Sequence, residues 1–291
     1  MRVCWSTSDS VYHNLALEEW WVDHLDREGP VLLFYVNAPS IVVGKNQNPW
    51  REAATEWARQ EGIPIARRIS GGGTVYHDPG NLNFSLILPR GTYRQETVFS
   101  QTCAALSSLG VEARVTAGNS ITCEEKKISG TAFCFRGPAA LHHGTLLVNA
   151  DLERLRRSMR PALTGVVTRA IASKPAAVGN VRDIRREVRV EDVASALATQ
   201  FVGRPTRESF AGPDDEAYRA LLARHQSWEW IWGHTPVFEW TLELADGSVR
   251  VHVENGIITR AIRSWCRDRE EAVAALSGAR FDPAEMVAFF Q

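Results

Sequence analysis

Several things are scarce in this chain. No run of about 18 apolar residues occurs; the longest greasy stretch, Val31-Leu32-Leu33-Phe34-Tyr35-Val36, is strand length, which excludes an apolar membrane-spanning helix. Cysteine is sparse: Cys4, Cys103, Cys123, Cys134 and Cys266 are odd in number, widely spaced and never in a C-x-x-C pair. Neither a disulfide framework nor a zinc knuckle fits that spacing. An excess of charge is missing too, with 33 Lys+Arg against 34 Asp+Glu. The net of −1 supplies no whole-molecule field for nucleic acid or anionic lipid, so any such contact has to be local. Met1–Ser6 holds no apolar signal segment, and the expectation is a cytoplasmic protein. P-loop, G-x-G-x-x-G, H-x-x-x-H and H-E-x-x-H patterns are all absent, which disfavours a zinc hydrolase.

What is present is ordinary globular material: 291 residues, 44% hydrophobic and 23% charged, enough for one large domain or two unequal ones. Ser8-Asp9-Ser10 supplies capping residues before a helix carrying Val11, Leu15, Val22 and Leu25 on one face. Val31–Val36 and Ser40–Val43 read as paired strands across Asn37-Ala38-Pro39. A short helix at Trp50–Gln60 leads to a strand at Ile63–Arg68, which runs into Ser70-Gly71-Gly72-Gly73. Alternation at Leu82, Phe84, Leu86 and Leu88 marks another strand, and Val98 to Leu109 a helix closed by Gly110. Ile121–Glu124 and Lys127–Phe133 read as a hairpin, and Gly144–Val148 as a strand before a helix capped by Asp151. Strands and helices intermix without a βαβ rhythm, so the fold class is α+β.

Between Arg154 and Arg189 stand ten basic residues and two acids, a local net of +8. That is a solvated surface or a docking face for an acidic protein; nucleic acid ranks third, since no aromatic platform accompanies the arginines. The tail forms its own small unit. Asp246-Gly247 and Asn255-Gly256 are hairpin turns between strands at Val237–Leu244, Val249–Glu254 and Ile257–Arg263, followed by helices near Arg269–Leu276 and Pro283–Phe290. Such a meander needs a partner to cover it, and Trp228-Glu229-Trp230-Ile231-Trp232 reads as the packing surface. The boundaries follow as 1–227 and 228–291.

Three segments stand outside this grammar. In Arg67-Arg68-Ile69-Ser70-Gly71-Gly72-Gly73-Thr74-Val75-Tyr76-His77, three consecutive glycines suit neither strand nor helix. Their return is close approach of backbone amides to acceptor oxygens, and the flanking Arg67, Arg68 and His77 fit an anionic ligand; a tight turn with a bulge is the alternative. Lys126-Lys127-Ile128-Ser129-Gly130-Thr131-Ala132 sets a lysine at the rim of a wall of small residues. Strand alternation places Lys127 with Ser129 and Ile128 with Gly130, so one of the two lysines points inward. In Leu141-His142-His143-Gly144-Thr145-Leu146-Leu147, the two histidines face opposite ways and make no metal pair; one exposed and one hydrogen-bonded is the expectation.

Together with Asn14-Leu15-Ala16-Leu17-Glu18-Glu19, Val42-Val43-Gly44-Lys45-Asn46-Gln47-Asn48 and Gly118-Asn119, these segments resemble the lipoate–protein ligase A family, in the wider group of biotin ligases and octanoyltransferases. The motifs occur in the family's order over most of residues 8–185, and the tail is similar to the accessory domain of two-domain ligases. The resemblance implies a large mixed-sheet catalytic domain of the biotin/lipoate ligase type plus a small α+β C-terminal domain. It implies activation of lipoate by ATP to lipoyl-AMP, then transfer to a lysine of a lipoyl carrier domain, of 2-oxoacid dehydrogenases or the glycine cleavage H protein. It places Lys127 against the acyl carbonyl and α-phosphate. Arg68, Ser70, Gly71, Gly72, Gly73, Val42, Ala132, His143, Gly144 and Thr145 become substrate contacts, with Val75 also along the acyl chain. Thr74, Val75, Tyr76, His77, Asn81 and Asn119 fall on the nucleotide side. A monomer acting without nucleic acid or membrane is expected. Magnesium ligands stay open, because Ser120 stands where the family carries Asp; Asn119 and Asp78 are the substitutes at hand. In the tail, Ser264-Trp265-Cys266 replaces the family's Gly-Asp-Phe. The competing readings are a transferase moving octanoyl or lipoyl between carriers through a cysteine thioester without ATP, for which Cys123 is nearest Lys127, and a non-catalytic lipoate- or carrier-binding module.

Overall fold

The computed structural model describes the chain except for residues 117–118, 162, 205–207, 246, 265–275 and 291. Its strands, in chain order, are β1 (Arg2–Ser6), β2 (Val31–Tyr35), β3 (Ser40–Val43), β4 (Ile65–Arg67), β5 (Val75–His77), β6 (Asn81–Pro89), β7 (Arg114–Thr116) and β8 (Ser120–Cys123). β9 (Lys126–Arg136), β10 (Ala139–Leu147), β11 (Val167–Thr168), β12 (Glu208–Phe210), β13 (Phe238–Leu244), β14 (Gly247–Glu254) and β15 (Ile257–Ser264) complete them. The α+β class is the observed one.

Eight strands form a mixed sheet in the order β12-β1-β2-β6-β10-β9-β8-β7, with β1 parallel to both neighbours. The run at β2 is apolar throughout because both faces of the sheet are covered. Leu32 and Phe34 pack with Phe84, Leu106 and Leu197 toward the helices Gln95–Ser108 and Val190–Val202. Val31, Leu33 and Tyr35 pack with Leu17, Trp21 and Tyr218 toward the helices Val11–Asp23 and Glu216–Gln226. Ser10 starts the first of these helices, its hydroxyl accepting from the His13 amide.

β2 and β3 do not pair, contrary to the hairpin reading. β3 sits between β4 and β5 in a separate three-stranded sheet. The chain crosses between sheets at Asn37, whose fully buried side chain bonds to Asn14 and His77 instead of capping a turn. The alternation read for β9 fails as well. A register irregularity against β8, where Ile121 faces Ser129 and Thr122 faces Lys127, inserts an extra residue at Ile128. Such a bulge resets which side chains share a face, and Lys127 ends over Gly130.

The C-terminal sheet, β11-β13-β14-β15, takes its first strand from the middle of the chain. Phe238, Trp240, Val249, Val251 and Val253 pack on Phe281, Met286, Phe290 and, from the N-terminal part, Trp50. Asn255 and Gly256 both adopt positive φ, as their turn demands. The helix read near Arg269–Leu276 and the Trp265-Cys266 substitution lie outside the described residues, Leu276 apart. The segment Glu229–Gly233 joins the two parts, and the Trp230 indole donates to the Arg67 carbonyl at 2.7 Å.

Candidate functional site

β5 carries the chain out of the glycine loop, and its period of two decides what faces inward. Val75 and His77 line a cavity of about 720 Å³, while Tyr76 turns the other way, into a cluster with Ile41, Val43 and Trp57. Leu15, Val42 and Val75, which pack together, give the lining an apolar patch, and Phe133 adds apolar surface. Thr116, Asn119, Ser120, Thr122 and Lys127 bring polar groups to the lining. Gly71, Gly72, Gly73 and Thr74 lie on one wall, with Arg68 behind them. Gly130, Thr131, Ala132, His143, Gly144 and Thr145 lie on the facing wall. Ser70, Tyr76 and Asn81 do not line it: Ser70 sits behind the loop, and Asn81 is buried with its amide on Asn83.

Two adjacent arginines, Arg67 ending β4 and Arg68 following it, part company. Arg67 is fully buried on the side away from the cavity, where it serves backbone carbonyls and no anion. Arg68 reaches the loop, donating to the carbonyls of Gly71 at 2.6 Å, Gly73 at 2.7 Å and Val42 at 3.2 Å, and to Ser70 Oγ at 3.0 Å. The Gly71 and Gly73 carbonyls are held, while the amides stay unpaired: among the described residues none of Gly71, Gly72 and Gly73 donates to a protein atom. Gly72 has a φ of +89°, a conformation that suits glycine.

Gly44 is what allows the loop to fold back this far. A Cβ there would lie 2.2 Å from the Gly72 carbonyl oxygen, a backbone atom that no rotamer change moves aside. Gly44→Ala should therefore displace the loop, cutting activity on the order of 100-fold. Kinetics beside a thermal melt check this; an unaffected rate would show that the loop's position is not critical.

Lys127 lies across Gly130, whose missing Cβ would sit 3.1 Å from Lys127 Nζ. Its amine has no hydrogen-bond or ion-pair partner among the described residues; burial, with the Arg68 charge adding, pulls its pKa below the ordinary lysine value. The strand register is kept by the 171–177 segment, where Ala177 accepts from the Lys127 amide at 2.8 Å. That segment also closes on the loop, Ser173 Oγ accepting from the Thr74 amide and from Gln47 Nε2, both at 3.0 Å. Sequence reasoning saw only charge in this stretch. The available signal was its run of small residues around Ser173 and Pro175.

Both histidines of the pair are buried, not one. His142 meets the Tyr93 hydroxyl at 2.8 Å among Phe84 and Phe99, and burial pulls its pKa down to about 3. His143 bonds Ser70 Oγ through Nε2 at 2.6 Å and the Glu18 carboxylate through Nδ1 at 3.0 Å. Burial pushes the Glu18 carboxyl up, but His143 and the Ser85 and Tyr35 hydroxyls outweigh it and hold it below the usual range. His77 is no cation either: burial first, then the Arg68 charge, takes it to about 3. Asn14 Nδ2 donates to Asn37 Oδ1 at 2.7 Å, so Asn37 Nδ2 donates to His77 Nδ1 at 2.9 Å, leaving the proton of neutral His77 on Nε2.

The lining does not fit a protein-built magnesium site. Glu125 is its one carboxylate among the described residues, and it is paired with Arg114. Asp78 is spent on the amides of Gly80 and Asp151, and Asn119 Oδ1 accepts from Gln95. None of the four described cysteines lines the cavity; burial raises the Cys123 thiol pKa, and its sulfur donates to the Glu112 carbonyl.

Residues 10–202 match the model of the lipoyl protein ligase A/B catalytic domain. The mitochondrial lipoyl amidotransferase LIPT1 of Homo sapiens is 33% identical over 310 aligned positions, covering 96% of this chain and 82% of the human one. A crystal structure of lipoate-protein ligase A bound with ATP superposes with a TM-score of 0.65 at 26% identity, over 79% of this chain and 97% of that one. The LipL1 protein of P. falciparum, in complex with lipoate, superposes over 99% of this chain and 93% of its own with a TM-score of 0.73; at 23% identity this is a likeness of fold.

Proposed function

Because the chain belongs to the lipoyl protein ligase A/B family, we propose that in its cavity the lipoate carboxylate attacks the α-phosphorus of ATP, forming lipoyl-AMP and releasing pyrophosphate, and that the lipoyl group then passes to a lysine of a lipoyl carrier domain with release of AMP. The observation that carries this reading is the Lys127 amine, unpaired among the described residues, which shares one cavity with three likewise unpaired glycine amides and the apolar Leu15, Val42 and Val75. Attack of a carboxylate on phosphorus brings two anions together. A fixed ammonium and oriented amides lower that repulsion without any general base. Leu15, Val42, Val75 and Phe133 offer the acyl chain a dry wall, worth roughly 0.8 kcal/mol for each methylene buried. In the second step the same ammonium steadies the oxyanion as the acceptor lysine attacks and AMP departs. The exposed Arg169 and Lys174, with Lys174 at the cavity lining, suit the approach of an acidic carrier.

The test is lipoate-dependent exchange of labelled pyrophosphate into ATP. Exchange is expected, at an equal rate in Cys123→Ser, because that thiol faces Glu112 and not the cavity. A second reading draws the lipoyl group from one carrier and delivers it to another. It is favoured by the identity with the human amidotransferase and by a lining whose one carboxylate among the described residues, Glu125, is paired with Arg114. Transfer from a lipoylated carrier with ATP withheld, and no pyrophosphate exchange, would select it.

A further inference from the structure

Behind the glycine loop runs a chain of hydrogen bonds that ends on a buried carboxylate. Arg68 Nε, Ser70 Oγ, His143 Nε2, His143 Nδ1 and Glu18 Oε1 follow one another at 3.0, 2.6 and, across the last contact, 3.0 Å. Ser70, His143 and Glu18 are all buried, and Glu18 is wholly so.

For the neutral imidazole, every proton in this chain has one direction. An ionised carboxylate only accepts, and Glu18 takes the hydroxyls of Tyr35 and Ser85 as well as His143. Nδ1 of His143 therefore donates, and Nε2 is the acceptor of the neutral ring. The guanidinium of Arg68 has no lone pair, so Ser70 Oγ accepts from it. The serine's own hydrogen then goes to Nε2 at 2.6 Å, not to the Gly71 carbonyl at 3.4 Å. That choice matters to the loop. It leaves the Gly71 carbonyl to Arg68, whose hold on the Gly71 and Gly73 carbonyls fixes peptide planes of a loop that lines the cavity.

We propose that Glu18 and Ser70 are positioning residues, which act through His143 and Arg68 to aim the Gly71–Gly73 amides at the developing phosphate charge. The proposal rests on the lipoyl-adenylate reading of the cavity, and its test separates the two. Glu18→Gln is nearly isosteric but presents an amide N–H to His143 Nδ1. Both Glu18 oxygens face Nδ1, at 3.0 and 3.1 Å, so replacing one by an N–H donor weakens the hold on the Nδ1–H tautomer. In the Nε2–H ring the Ser70 hydroxyl loses its acceptor and turns to compete for the Gly71 carbonyl. Ser70→Ala removes the same link without adding a donor.

The experiment combines steady-state pyrophosphate exchange with ¹⁵N NMR of the imidazole rings and loop amides in the full-length protein. Wild type is expected to show His143 as the Nδ1–H tautomer, and Glu18→Gln as Nε2–H with shifted Gly71–Gly73 amide resonances. Both variants should lose about 100-fold in kcat with the KM for lipoate changed less than about threefold. Wild-type kcat in both variants, a loss confined to KM, or an Nε2–H tautomer in wild type overturns the relay. Should Glu18→Gln not fold, Ser70→Ala carries the same kinetic and loop-amide tests. If wild type shows no exchange at all, the ligase reading fails by itself. The tautomer and loop-amide shifts then decide the relay: present they uphold it, absent they overturn it.

Discussion

Lys127→Ala is expected to lower lipoate-dependent pyrophosphate exchange by roughly 10²–10³-fold, the usual loss when one preorganised donor to a developing anion is removed. The melting temperature should stay near that of wild type. The side chain lies along the cavity wall over Gly130, and its amine bonds to nothing in the described protein, so removing it strands no partner. The direction of its pKa shift supports the same role. Burial and the Arg68 charge make an empty site an uncomfortable place for an ammonium, and an incoming polyanion relieves both. Arginine is not an equivalent: its planar fork spreads the charge and does not fit where a point charge rests above a glycine. Exchange kinetics with a calorimetric melt on the same preparations decide the matter. A variant with full exchange would remove Lys127 from the chemistry.

Arg67→Leu should act on stability instead, by about 3–5 kcal/mol, a drop on the order of 10 °C in melting temperature. The Arg67 guanidinium is fully buried and, unusually for a buried charge, is held by carbonyl groups alone apart from one hydroxyl. It donates to Gly44, Lys45 and Gln47 on one side, at 3.1, 2.9 and 2.8 Å. On the other it donates to Trp230 and Ile231 and to Thr235 Oγ1, the closest being Ile231 at 2.7 Å. Desolvation costs it enough to bring its pKa to about 10. Leucine fills the space but leaves five carbonyls without their donor, at the seam between the glycine-loop turn and the C-terminal part. Lysine, with three donors in place of five, should recover only a fraction. Chemical and thermal denaturation measure the effect; a change under about 1 kcal/mol would mean that water satisfies those carbonyls.

Much of the candidate site could be read before the fold was known. Gly71–Gly73 pointed to amides open to acceptor oxygens, with a bulged tight turn as the alternative, and Lys127 to a rim cation because its neighbours are small. The family's ordered motifs joined the two. Other residues looked alike in sequence and proved opposite in space. Arg67 and Arg68 carry the same group, yet one pins the interior and the other shapes the loop. Glu18 and Glu19 sit on a helix where adjacent acids suggest a wet face, and both are buried, Glu19 against Arg136, Arg224 and His225.

The order of residues alone determined what depends on short-range sterics and periodicity: many of the strands and helices, the turns at positive φ, the α+β class and the two segments proposed to face an anion. Tertiary structure decided which face each of those residues presents. A single inserted residue in β9, or a chain crossing at Asn37, reverses every later side chain, and nothing local marks either event. Side-chain alternation has a period of two, so chemistry written one residue apart goes to opposite sides, and only the packed core says which side is which.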